Sequence, residues 1–242
     1  MNRNSLARKA AKQPNGGHVQ VEDVIRFVLF HGGEAADELE RLQAQYQWPL
    51  VGELPDGRRM VPLGQWIQVC TEYGRHGLAS VEKFLKDKKT ASVTVGLLSH
   101  VRTAESVNLL LIFSENSEFN AKTHREANWC EWEALLALNK LLSFDDFVKV
   151  DVDAKNRLLT LLKRAFVKAE NANLQSFVLN TLRGASSVDA LEWLKTLDVG
   201  DGENATLKNQ SLRVIRKRLS ADFKSLNVEE KRLLRVEMAR DV

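Results

Sequence analysis

The chain has 242 residues, of which 44% are hydrophobic and 28% are charged. These fractions are ordinary for globular proteins, so they exclude a chain that is disordered throughout. The 35 basic and 32 acidic side chains leave a formal net charge of +3, which is too balanced for a general nucleic-acid or membrane binder, so any polyanion site must be local.

The cysteine content and the apolar runs predict the compartment. Cys70 and Cys130 are the two cysteines, and so few thiols in a chain of this size indicate a reduced protein without a disulfide scaffold. The basic start of the chain is not followed by an apolar stretch, so no secretory signal is expected. The longest apolar runs fall short of the about 20 residues that cross a bilayer. We therefore expect a soluble, cytoplasmic protein that does not enter membranes.

Residues 1–18 have the composition of a flexible basic arm. The segment carries no acid and ends in a turn-forming stretch, Pro14 to Gly17. Its apolar content is too small to offset the entropy of ordering it. The basic residues that could contact a partner are Arg8, Lys9 and Lys12.

The arm is followed by a predicted helical domain at 19–242, with a possible subdivision into 19–101 and 102–242. Its first stripe, Val21 to Leu29, follows the apolar spacing of an amphipathic helix that ends at Gly32. A second helix is expected at 34–47. Residues 51–62 break this pattern, and the sequence Pro-Asp-Gly inside them predicts a small turn or hairpin insertion.

The remainder of the chain predicts short helices in pairs. The clearest stripe lies at 156–169, and the next helix, which begins near 173, is expected to end at Gly184. Helices this short must bury their stripes on their neighbours. The pairing in 173–219 is similar in style to HEAT-type helical repeats, although no fixed period is present. The predicted fold is all-α, either an irregular HEAT-like α-solenoid or a layered helical bundle.

A mixed α/β fold is the alternative. SVTVGLL at 92–98 alternates and is β-branched, and VNLLLIF at 107–113 could be a buried parallel strand. Neither run is followed by a glycine-rich phosphate-binding loop, so the sequence does not support a nucleotide-binding version of this fold.

No pattern of catalytic or metal-ligating residues stands out. The nearest metal pair is His124 with Cys130, whose spacing of six and lack of further ligands favour a surface histidine. The acidic run at 145–153 lacks the glycine and glutamate of a calcium loop, so capping and turn roles are favoured. No nucleophile elbow is present. We therefore predict no catalytic residue, no cofactor and no metal.

One tryptophan is a candidate for contact with a partner. Trp193 lies inside EWLKTL in the opposite helical phase to Leu191 and Leu194, which predicts partial exposure. Exposed tryptophan is favoured at protein interfaces, and burial against a neighbouring helix is the alternative.

The most basic stretch is LKNQSLRVIRKRL at 207–219, with five cations and no acid. At 100° per residue, Arg213, Arg216 and Lys217 share one face of a helix. Leu212, Ile215 and Leu219 lie opposite and dock the helix, whereas Arg218 and Lys208 lie elsewhere. Three interpretations remain open for the basic face: a solvated surface, contact with an acidic protein, or contact with phosphates.

Together these features favour a non-enzymatic scaffold or adaptor that presents a helical surface to a protein partner. The first alternative is a nucleic-acid-binding protein that uses the basic arm and the basic helix face at 208–218. The second is an enzyme of α/β type with an unrecognised site. The sequence does not predict an oligomeric state.

Overall fold

The structure, a computed structural model, describes residues 3–12, 19–48, 63–123 and 129–239. Within these ranges the ordered elements are helices and no strand is present, which confirms the predicted all-α class. The predicted turn or hairpin at 51–62 lies outside the described residues, as do His124 and the stretch from Pro14 to Gly17.

The helices follow one another closely along the chain. In order, the α-helices are α1 (Arg3–Lys12), α2 (Val21–His31), α3 (Gly33–Tyr46), α4 (Leu63–His76), α5 (Glu82–Leu85), α6 (Ala91–Leu98), α7 (Ala104–Glu115), α8 (Cys130–Leu142), α9 (Val152–Lys168), α10 (Ala172–Thr181), α11 (Val188–Thr196), α12 (Glu203–Ala221) and α13 (Val228–Ala239). Short 3-10 turns lie at Leu78–Val81, Leu182–Ala185 and Phe223–Ser225. Among the described helices, none is both long and apolar enough to cross a bilayer.

The two runs that could have been strands are helices α6 and α7, so the α/β alternative is wrong for this part of the chain. Helix α6 is buried on most sides, including Val93, Val95 and Leu97. A segment that is apolar all round shows no helical stripe, and its periodicity cannot distinguish it from a buried strand.

The chain forms two compact units. The first comprises Met1–Leu109 and Thr123–Glu133, and the second comprises Leu110–Lys122 and Ala134–Val242. The possible subdivision of the helical domain into 19–101 and 102–242 stays a prediction.

In the first unit, α2 and α3 pack against α4. Val24, Ile25 and Val28 are buried as the stripe predicts, whereas Leu29 at its end is 38% exposed. Gly32 separates α2 from α3 with φ of 56°, a conformation that favours glycine. A Cβ on Gly74 of α4 would lie 2.8 Å from the backbone oxygen of Gly32, so the helices approach closely at this point.

The predicted basic arm contains helix α1. Leu6 and Ala10 are buried, and the ammonium group of Lys9 lies 2.7 Å from the carboxylate of Asp23 in the first turn of α2. A ten-residue helix is marginal by itself in water, so α1 depends on these contacts. The mobility of residues 1–18 in solution stays a prediction.

The second unit is built from helices that pack on near neighbours in the chain. Helix α10 packs on α9 and α12, α11 packs on α12 and α13, and α12 packs on α13. The N-termini of α9, α10 and α11 are capped by the side chains of Asp151, Asn171 and Ser187, each of which accepts a backbone N–H bond. These caps fix where each short helix starts.

Candidate macromolecule-binding surfaces

Helix α12 carries the basic stretch and docks through a narrow stripe. Asn204, Ser211, Ile215 and Leu219 are buried, and their spacing of seven and four keeps them on one side of the helix. Ile215 and Leu219 were predicted to dock, but Leu212 is only half-buried. The polar members of the stripe are bonded: Ser211 donates to the carbonyl oxygen of Leu179 over 2.8 Å, as buried hydroxyls require.

Arg218 is a structural residue. Its guanidinium donates to the carbonyl oxygens of Leu142 and Arg183 at 2.7 Å each and of Phe144 at 2.9 Å. It also lies over the ring of Phe147, with Cζ 4.0 Å from the centroid. Burial lowers the pKa of Arg218. A planar group with five donors suits this role, and it satisfies carbonyls at the end of α8 that the helix cannot satisfy itself.

Lys208 also stabilises the fold. Its ammonium donates to the carbonyl oxygen of Leu197 over 2.6 Å and to that of Lys195 over 3.1 Å. These carbonyls lie at the C-terminal end of α11, where a cation is favoured. Arg218 and Lys208, two of the five cations of the stretch, therefore stabilise the packing of α12.

The three remaining cations form what we call the α12 basic face: Arg213, Arg216 and Lys217. Arg213 and Lys217 are exposed, whereas Arg216 is half-buried. Neither Arg213 nor Lys217 has an ion-pair partner among the residues that the structure describes. Their charge is therefore available to an anionic group in solution.

Trp193 lies at the contact between α11 and α9 and is half-buried. Its ring meets the ring of Phe166 edge-on, with centroids 6.0 Å apart and planes at 87°. The ammonium of Lys163 lies over the Trp193 ring, 5.8 Å from the centroid. Both contacts are favourable geometries for an aromatic ring, and Trp193 stays partly exposed.

An exposed aliphatic side chain follows on α9. Val167 follows Phe166 on α9 and is 82% exposed. It lies one turn after Lys163, on the same side of the helix. We call Lys163, Phe166, Val167 and Trp193 the α9–α11 surface. The sequence pointed to Trp193 by its phase, but it did not identify the three α9 residues, because their relation to Trp193 arises from packing.

The cations of the N-terminal segment belong to the first unit. Arg8 and Lys12 are exposed, whereas Lys9 is paired with Asp23. Lys9 therefore supports the docking of α1 on α2, and its charge is partly neutralised there.

Two further features bear on metal binding and on the reactivity of the thiols. Across the described ranges, no three His, Cys, Asp or Glu side chains converge as a metal site would require. Burial raises the pKa of Cys70 to about 12 and that of Cys130 to about 11, so both thiols are protonated and weakly nucleophilic at neutral pH.

A cavity of about 310 Å³ lies between residues 119–122 and the turn that joins α9 to α10. Its lining includes the ion pair of Lys122 and Glu170, whose charged atoms are 2.8 Å apart.

No protein-family model matches the chain, and comparison with curated proteins and with solved structures also finds no match.

Proposed function

We propose that the chain is a non-enzymatic scaffold or adaptor that presents a helical surface to a protein partner. The observation that carries this proposal is the α9–α11 surface, where a half-buried tryptophan contacts Phe166 and the next residue on α9, Val167, is 82% exposed. Tryptophan anchors dominate binding energies at protein interfaces, and an exposed aliphatic neighbour adds area that a partner can desolvate.

The fixed position of Trp193 supports this role. Phe166 and Lys163 contact the indole ring, which leaves it fewer orientations to lose when a partner binds. Rigid anchors bind more tightly because less side-chain entropy is lost in the complex.

The packing of the second unit supports an α-solenoid, the finer part of the proposed fold. From α9 to α13 each helix packs on the next helix or on the one after it. Contacts between near neighbours in sequence are typical of helical repeats, which present extended surfaces to partners. A HEAT-like arrangement of these helices is therefore our proposal for this unit.

Affinity capture from native lysate with and without nuclease tests the function. We expect a protein partner to be captured equally in both samples, and we expect Trp193→Ala to lose it. Phe30→Ala is the matched control, because Phe30 is an aromatic residue on α2 that is 75% exposed. Thermal melting of both variants checks that the fold is intact. Loss of capture on nuclease treatment would reject the protein-partner proposal.

Nucleic-acid binding through the α12 basic face is a second candidate. It is favoured by the exposure of Arg213 and Lys217 and by their lack of ion-pair partners among the described residues. Phosphate contacts release counterions, so each duplex phosphate contacted adds about 0.9 to the slope of log affinity against log salt. A change of Arg213, Arg216 and Lys217 to Gln should then weaken binding to all sequences and flatten that slope.

A further inference from the structure

We infer that the α9–α11 surface takes a partner segment in which an aliphatic side chain is flanked by carboxylates. This inference rests on the proposed protein-binding function and specifies the chemistry of the partner. It depends on the charge that surrounds Val167 and on how the Trp193 ring is covered.

The C-terminal half of α9 is positively charged. From Thr160 to Ala169 the chain carries Lys163, Arg164 and Lys168 and no acid. All three cations are exposed. Lys163 and Lys168 have no ion-pair partner among the described residues, and Arg164, which donates to the carbonyl oxygen of Ser114 over 3.2 Å, keeps its charge.

The nearby acids do not cancel this charge. Glu170 is engaged by Lys122 at 2.8 Å. On α11, Asp189, one turn before Trp193, and Glu192, next to it, are both exposed. These two carboxylates are fewer than the three cations of α9. The electrostatic complement of the α9–α11 surface is therefore an acidic segment.

The apolar part of the surface lies between the charges. Val167 falls between Lys163 and Lys168 on the exposed side of α9, and its 82% exposure leaves most of its aliphatic surface to solvent. A partner side chain that covers Val167 and the edge of Trp193 would place neighbouring carboxylates near both lysines. A short amphipathic segment of the partner, with one apolar side chain between acidic residues, would have this arrangement.

The same geometry disfavours a nucleic acid at this surface. Bases bind proteins by stacking on an open aromatic face. The ammonium of Lys163 lies over the Trp193 ring, and the ring of Phe166 meets Trp193 edge-on. A phosphate backbone would also leave Val167 unpaired with any apolar group.

A displayed library of random peptides, each about 12 residues and so about three helical turns long, tests the inference on the full chain. Selection on the wild type, with counter-selection on the Lys163→Glu, Lys168→Glu double variant, should enrich peptides that combine Asp or Glu with Leu, Ile or Phe. Enrichment of basic peptides, of acidic peptides without an aliphatic residue, or of none would overturn it.

Synthetic versions of the enriched peptides give the matched comparison. Val167→Asp should weaken their binding by about tenfold or more, because it removes the apolar anchor and adds repulsion. Val152→Asp is the control, since Val152 lies at the other end of the same helix and is 71% exposed; its effect should stay within about twofold, as for residues outside an interface. Equal effects of the two variants would contradict the inference.

The outcomes separate this inference from the proposed function. If Trp193 is required to capture a protein but the selected peptides are not acidic, the scaffold function stands and the partner chemistry is wrong. A single-stranded oligonucleotide is the second probe. If it binds the wild type and Val167→Asp equally well but does not bind the double charge variant, both the acidic-segment inference and the proposed protein-binding function are overturned.

Discussion

Arg218 donates a hydrogen bond to the carbonyl oxygen of Leu142 over 2.7 Å, across a sequence separation of 76 residues. The same nitrogen reaches the carbonyl of Arg183, and the other terminal nitrogen reaches that of Phe144. A single side chain of α12 thereby connects the end of α8 with the turn after α10. The stretch at 207–219 has the composition of a polyanion-binding helix, but this arginine stabilises the packing between helices.

We predict that Arg218→Met destabilises the second unit by about 2–4 kcal/mol, because methionine fills space but leaves these carbonyls without a donor. Urea denaturation measures the change. Arg213→Gln is the matched control on the same helix, and as an exposed substitution it should stay within about 0.5 kcal/mol. Equal destabilisation by both changes would show that Arg218 has no special structural role.

A second prediction concerns the close approach of α4 to the junction of α2 and α3. A Cβ at Gly74 would lie 2.8 Å from the oxygen of Gly32 and 3.3 Å from a methyl group of Val28. Overpacking costs about 1–3 kcal/mol, which exceeds the roughly 1 kcal/mol that alanine gains over glycine in a helix. Gly74→Ala should therefore lower the free energy of unfolding.

Gly33 provides the control at the same junction. A Cβ there would lie 3.7 Å from the oxygen of Gly74, an ordinary contact distance. Gly33→Ala should leave the unfolding free energy unchanged or raise it by up to about 1 kcal/mol. If both alanine variants are equally stable in thermal and chemical denaturation, the helices do not approach as closely as described.

A third prediction uses Glu133, whose carboxylate accepts a hydrogen bond from the hydroxyl of Ser92 over 2.6 Å. Burial raises the pKa of Glu133, and the bond from Ser92 opposes that shift. Because the pKa is higher in the folded state than in the unfolded chain, the folded state binds the proton more tightly, and stability falls as pH rises through this range.

Glu133→Gln keeps an oxygen for Ser92 and removes the charge. It should raise the melting temperature at pH 7, and the difference should shrink in acid, where Glu133 is itself neutral. Glu192→Gln, a change at an exposed carboxylate of α11, is the control and should change the melting temperature at pH 7 little, as exposed substitutions do. A variant that melts below the wild type at pH 7 would contradict the stated role of burial.

A fourth prediction addresses α1. Its anchoring consists of Leu6, Ala10 and the pair of Lys9 with Asp23, which is little apolar surface for ten residues. We expect α1 to open locally, so trypsin should cleave after Arg8 or Lys9 before it cleaves within α2 to α4. Leu6→Ala should accelerate this cleavage. Cleavage after Arg8 that is as slow as global unfolding would show that α1 is firmly docked.

The sequence predicts the helical class because most helices bury one stripe, as α9 does with Leu158, Leu161 and Leu162. It leaves α6 and α7 ambiguous. Helix α6 is buried on most sides and so has no stripe, and the apolar run of α7 continues onto its exposed side at Ile112, which is 43% exposed. Gly184 was expected to end a helix by adopting a left-handed conformation, but it lies in the 3-10 turn Leu182–Ala185. A Cβ there would lie 2.6 Å from Cβ of Leu142, so close packing explains the glycine.

For the candidate surfaces too, the sequence predicts some properties and not others. Helical phase places Arg213 and Lys217 outward and predicts the partial exposure of Trp193, since these properties depend on neighbours along one helix. The roles of Arg218 and Lys208 depend on carbonyls from other elements, and the proximity of Lys163 to Trp193 depends on how α9 packs with α11. Sequence spacing carries no information on such contacts.

A salt titration of the partner captured from native lysate tests the protein-binding role most directly, by comparing the wild type, Trp193→Ala and the variant with Gln at 213, 216 and 217. If a protein binds the α9–α11 surface, capture should resist nuclease and should fall with salt only as far as its carboxylates contact Lys163 and Lys168. It should be weakened more by Trp193→Ala than by the loss of the three charges, because buried aromatic anchors outweigh rim charges. Capture that nuclease abolishes, that falls by roughly 0.9 log units per log unit of salt for each phosphate contacted, and that the triple Gln variant removes would contradict the protein-binding role.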